Sequence, residues 1–192
     1  MPRLRPGFIA LFVAALVTGC SGIPILSIPK LISLQGKLID ANPDDFMIAI
    51  QSDARLTPPA GSSPVLNIDV KPKDEGAFPR IQRMLYMQTT EWSTRYKGLE
   101  PAPAGRKWLV YGFTPDAAAE LRRIQATFRD LKGKGQGGSV SLGIAQESIA
   151  AHNPQLADTR WESWLQASRE DGFFKLWSGT IGELLANARV DR

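Results

Sequence analysis

The sequence predicts an α+β domain, a mostly antiparallel sheet carrying one amphipathic helix over about residues 115–132 and a short C-terminal helix. Three observations point there. Short segments that alternate apolar and polar residues recur between Gly/Pro-rich breaks. One longer segment instead spaces its apolar residues at helical intervals. Two Thr residues sit where helix caps belong, each ahead of such a pattern.

The elements follow in chain order. In "FMIAIQSDARL", Phe46, Ile48 and Ile50 alternate with Met47, Ala49 and Gln51, a strand buried on one face and partly covered on the other. After the breaker "TPPAGSSP", "VLNIDVKPK" sets Leu66, Ile68 and Val70 against Asn67, Asp69 and Lys71, a half-exposed strand. These two are expected to pair as an antiparallel hairpin. "RMLYMQTTEW", Arg83 to Trp92, is a third strand. "KWLVYGF", Lys107 to Phe113, is apolar on both faces and so central.

The helix begins at Thr114 as cap, with Pro115 in the first helical position and Asp116 at the positive end of the dipole. Leu121, Ile124, Phe128 and Leu131 draw one apolar stripe, and Gly133 stops it. "SVSLGIA", Ser139 to Ala145, alternates again as a strand. Residues 159–170 fit two patterns. Thr159 and Glu162 match a capping box, with Trp161, Trp164 and Leu165 on one helical face; equally, the "EDG" turn can close a hairpin onto "FFKLW". The hairpin is preferred, because Phe173 to Trp177 is short, aromatic and flanked by glycines. Thr180 and Glu183 then cap the final helix.

The first twenty residues form a separate unit. Arg3 and Arg5 precede the ten apolar residues Phe8 to Val17, followed by Thr18 and Gly19. This is the layout of a secretory signal, and the run is too short for a comfortable membrane span. The only cysteine, Cys20, closes "VTGC". That motif resembles the lipobox of bacterial lipoproteins. The resemblance implies cleavage before Cys20, diacylglycerol on its thiol and acylation of the new amino terminus. Several acyl chains anchor a protein stably where one does not. Ser21 after the cysteine resembles the pattern sent to the outer membrane rather than retained at the inner one. The expected organisation is a signal peptide over 1–19, a lipidated N-terminus and apolar connecting segment over 20–43, and a single periplasmic domain over 44–192. The connector, with Ile23, Ile25, Leu26, Ile28, Leu31, Ile32 and Leu34, is too apolar to float in water and is expected to pack on the domain.

Without Arg3 and Arg5 the formal charge falls from +4 to +2. That balance gives no reason to expect a nucleic-acid partner. No second cysteine exists for a disulfide, so packing alone must hold the fold in an oxidising compartment.

The chemistry is sparse. The single histidine, His152, lies in the loop "AAHNPQ" with no partnered nucleophile, and no G-x-S-x-G pattern occurs. "NPDD" and "REDG" lack the alternating spacing of a calcium loop and suit turns. "LKGKGQGGS" leaves a helix and enters a strand, the reverse of a phosphate-cradling loop. No catalytic residue, metal or cofactor is expected. Two groups of side chains suit binding. Trp161, Trp164, Phe173 and Phe174 offer aromatic area for a surface or pocket. Arg122, Arg123, Arg129, Lys132 and Lys134 gather on or near one helix and suit anionic head groups or another acidic partner.

The expectation is therefore a membrane-anchored lipoprotein with a non-enzymatic binding or scaffolding role in the cell envelope, its partner a protein, peptidoglycan or lipid. A lipid or amphiphile carrier, with the aromatic C-terminal third lining a cavity under the sheet, is the alternative. A hydrolase with an unrecognised site ranks third.

Overall fold

The computed structural model describes residues 40–151 and 153–190. Seven strands form one antiparallel, curled sheet: β1 (Met47–Asp53), β2 (Val65–Pro72), β3 (Ile81–Thr90), β4 (Arg106–Phe113), β5 (Gly138–Ala145), β6 (Arg160–Gln166) and β7 (Phe174–Thr180). Their order across the sheet is β5-β2-β3-β4-β1-β6-β7. Among the described residues three α-helices accompany them: α1 (Pro115–Gly133), α2 (Glu147–Ala150) and α3 (Ile181–Val190). The α+β expectation holds, and no helix among the described residues is long and apolar enough to cross a membrane.

The expected β1–β2 hairpin does not form. β1 lies between β4 and β6, while β2 lies between β3 and β5. Burial explains the separation. Met47 and Ala49 on one face of β1 are buried alongside Ile48 and Ile50 on the other, so β1 needs cover on both sides and takes a central place. β2 exposes Lys71 and half-exposes Asn67 and Asp69, so it suits a region with one solvated face. β4 occupies the middle of the sheet, as its two apolar faces predict.

The ten-residue β3 joins the two halves. Its first part, Ile81 to Tyr86, pairs with β2, and its last part, Met87 to Thr90, pairs with β4. The strand ends at Thr90, so Trp92 belongs to the following loop rather than to the strand. Residues 160–166 are strand β6, hairpinned to β7 through the "EDG" turn, which settles the hairpin over the helix.

α1 forms as its sequence dictates. The Thr114 hydroxyl accepts from the Ala117 N–H at 3.2 Å, and Pro115 occupies the first turn. Leu121, Ile124 and Leu131 are buried, with Phe128 packed half-buried beside them. All three helices lie on one side of the sheet and share its main core, which includes Phe46, Ile48, Ile50, Leu66, Leu85, Tyr111, Ile149, Trp161, Leu165 and Ile181. α3 starts directly from β7 through the expected box. The Glu183 N–H donates to the Thr180 hydroxyl at 3.2 Å, and the Thr180 N–H donates to the Glu183 carboxylate at 2.8 Å.

A candidate binding cleft on the helix-free face

The opposite face of β4-β1-β6 presents Met47, Ala49 and Val110, with Trp108 and Trp164 beside them. No helix covers it. Instead residues 91–105 fold over the strands, contributing Trp92, Tyr96 and Leu99, and Phe173 closes in from the β6–β7 turn. The cover is tied down by main-chain acceptors. The Phe173 N–H donates to the Lys97 carbonyl at 2.7 Å. The Trp108 indole donates to the Glu100 carbonyl at 2.8 Å, and the Tyr96 hydroxyl to the Glu91 carbonyl at 3.0 Å. Tyr96 meets Phe173 edge-on at 5.6 Å.

Two glycines make this contact possible. Gly98 has φ +89° and lies against the Phe173 backbone; Gly172 has φ +74° and lies against the Lys97 backbone. A Cβ at either would collide with main chain, and both sit in the left-handed region that only glycine occupies freely.

Where this cover ends, an open cleft of about 540 Å³ remains. Met47, Gly112 and Phe113 line its apolar floor, Thr90 and Ser93 add hydroxyls, and Arg95, Lys97, Arg169 and Asp44 stand at its rim. The charges are unequal. Arg169 is paired with Asp45 at 2.7 Å, and Asp44 is paired with Arg122 at 2.7 Å. Arg95 has no carboxylate partner among the described residues, and the Lys97 amine donates to the Glu170 main-chain carbonyl, which carries no charge. The cleft therefore keeps two uncompensated cations. Burial pushes the Tyr96 phenol above its usual range, only partly offset by the charge of Arg169. Such a rim donates hydrogen bonds and attracts anions; the apolar floor suits the uncharged part of the same ligand.

The structure divides the side chains expected to bind. Trp161 is fully buried in the main core, its indole N–H shared between the Ser163 hydroxyl at 3.1 Å and the Gln146 carbonyl at 3.3 Å. Phe174 packs against that same core from the neighbouring strand. Trp164 and Phe173 lie on the other face, beneath the 91–105 loop. Alternation sends neighbours to opposite faces, so the four aromatics form no common surface. Trp164 instead stacks edge-on with Trp108 at 6.1 Å, and the Lys175 ammonium lies 4.9 Å from its ring centre. The indole N–H groups of Trp92 and Trp164 are buried without a hydrogen-bond partner.

The basic group on α1 is largely neutralised. Arg122 pairs with Asp44, Arg123 with Glu120 and Lys134 with Asp130. Arg129 and Lys132 are exposed without an ion pair among the described residues. The "NPDD" carboxylates are engaged by Arg122 and Arg169, and among the described residues no three His, Cys, Asp or Glu side chains gather as a metal set would. Cys20, His152 and nearly all of the 20–43 connector lie outside the described residues. Comparison of the chain with protein-family models, with curated proteins and with solved structures finds no match.

Sequence reasoning missed Arg95, Lys97 and Arg169. The available signal was a cationic loop, "WSTRYKG", following a strand and opening onto a Pro/Gly-rich stretch, a place where binding residues concentrate.

Proposed function

We propose that this chain is a lipid-anchored protein of the bacterial cell envelope, probing the periplasm from the outer membrane with a non-catalytic binding module. The "VTGC" motif behind its apolar run supports the anchor. The observation that carries the binding role is the cleft, where Arg95 and Lys97 face solvent over an apolar floor without counter-charges of their own. The partner it fits presents an acidic group next to apolar surface, as an envelope protein, peptidoglycan stem carboxylates or a lipid head group would. An amphiphile carrier with a cavity under the sheet has less support, because Trp161 fills that space as core.

Two experiments test the two parts separately. Labelled fatty acid should appear on the wild-type chain and not on Cys20→Ser; label on both, or on neither, overturns the anchor. A photo-crosslinker at Lys97 should capture an envelope component that one at Gln82 does not, and Arg95→Glu should abolish the capture. Equal capture at both positions overturns the cleft as the binding site.

A further inference from the structure

Gly98, Gly172 and Gly112 stand in the cleft or its cover, and the backbone demands only the first two. Gly98 and Gly172 take left-handed φ and press on main chain. Gly112 does neither. It lies inside β4, paired with Met47 of β1 on one side and Gln88 of β3 on the other. A Cβ there would meet only the Thr90 hydroxyl oxygen, at 3.5 Å, an ordinary contact. The fold would therefore accept alanine at 112. Glycine inside a strand weakens it and often marks a place where a ligand comes close to the main chain. The register extends the row, because Met47 pairs in turn with Gln166 of β6. Across four strands the row reads Gln88, Gly112, Met47, Gln166, an apolar centre of two residues between two side-chain amides. β3 and β1 flank β4, so their side chains stand about 10 Å apart across the notch at Gly112, which leaves room for one ring. Thr90 and Ser93 add hydroxyls beside it, and Arg95 and Lys97 stand at the rim.

We infer that the cleft takes a sugar ring bearing a carboxylate, and that Gly112 sets this specificity. A sugar ring has the matching pattern, an apolar C–H face with a polar edge. With that face laid on Gly112 and Met47, the edge meets Gln88, Thr90 and Ser93, and the carboxylate turns to the rim cations. A long acyl chain would run from the short apolar centre onto the flanking amides. An extended peptide takes its hydrogen bonds from open main-chain groups at a sheet edge, and β4 is paired on both sides. The inference rests on the cleft as the binding site and narrows its partner to a carboxylated glycan.

The test measures binding of three small probes to the full chain in detergent. N-acetylmuramic acid and N-acetylglucosamine share the ring and differ in an ether group that carries a carboxylate. Benzoate has the carboxylate on a ring without hydroxyls. N-acetylmuramic acid should bind at least about tenfold more tightly than either, since hydrogen bonds to its charged group and to its edge both count. Gly112→Ala should weaken it by at least about tenfold, because a methyl on the floor lifts the ring. The urea midpoint of that variant should stay at or above the wild-type one. Arg95→Glu should erase the preference for the acidic sugar. Equal binding of the two sugars overturns the inference, as does benzoate bound as tightly as the acidic sugar. Gly112→Ala that binds like wild type, or that unfolds at lower urea, overturns the role of Gly112. If no sugar binds while capture at Lys97 still depends on Arg95, this inference alone falls. If that capture fails too, the cleft falls with it.

Discussion

Glu162→Gln isolates one charge cluster whose size can be worked out from its surroundings. The Glu162 carboxylate is 8% exposed on β6 and receives the Arg160 guanidinium at 2.6 Å and the Lys175 ammonium at 3.0 Å. Burial alone would raise its pKa. The hydrogen bond and charge of Lys175, joined by Arg160, outweigh burial and hold the carboxyl below its ordinary value. A buried hydrogen bond to a charged group contributes about 1.5–3 kcal/mol. Arg160 is 62% exposed and Lys175 29%, so solvent screens both and the cluster is worth about 1–2 kcal/mol in all. Glutamine keeps the shape and one acceptor oxygen but loses the charge. Arg106, whose pKa is lowered by burial and only partly held up by Glu162, loses that support too. The folded pKa lies below the unfolded value of about 4.3, so the unfolded chain binds more protons and stability rises with pH there. The contribution is complete above that value and disappears as pH falls through the folded one. Urea unfolding of wild type and variant should therefore differ by about 1–2 kcal/mol at pH 7 and by almost nothing near pH 2. An equal difference at both pH values would show that shape or packing matters at this site, not the ion pairs.

Three further substitutions test the architecture. Trp161→Ala should cost about 3–5 kcal/mol in urea unfolding and Trp164→Ala only about 1–2 kcal/mol, since Trp161 is enclosed and Trp164 partly exposed; equal costs would contradict the division of the aromatics between two faces. Gly98→Ala should destabilise by about 2–3 kcal/mol and release the 91–105 loop to proteolysis before the domain unfolds, because its φ is positive and its Cβ would meet the Phe173 carbonyl. Thr114→Ala removes the α1 cap and should lower stability by about 1 kcal/mol with no change in the cleft; a silent thermal melt would mean that the hydroxyl contributes nothing.

The sequence revealed strongly periodic elements and failed where the answer depended on distant partners. α1, β2, β5 and the Thr180 cap were legible because each carries its own signal: an apolar stripe, a clean alternation or a box. The placement of β1 was not. Its alternation says that Ile48 and Ile50 face one way, yet nothing local says that Met47 and Ala49 are covered by Phe173 and Leu99, which arrive from far along the chain. Neighbouring strands in sequence were expected to pair, and the 54–64 segment instead carries the chain past two strands before β2 begins. The cleft was hidden for a related reason. Phe173 and Phe174 look like one aromatic patch in sequence, and alternation sends them into different cores. Lys97 and Arg169 look like scattered surface charges and meet only because two loops close on each other.

That closure sets the backbone shape of the cleft's wall. The contact between the two loops depends on two left-handed glycines, Gly98 and Gly172, each pressed against the other loop's backbone. Glycine carries extra entropy in the unfolded chain, so each adds a cost on folding. The same cover leaves the Trp92 and Trp164 indoles without acceptors, a further cost at buried donors. A loop needed only to shield Met47, Ala49 and Val110 could do so with apolar side chains and no such expense. What the actual arrangement adds is a loop that brings Arg95 and Lys97 to the same cleft as Arg169. Two left-handed glycines and two unpaired indoles at one loop contact are folding costs that a preorganised ligand site would account for, in keeping with the binding role proposed above.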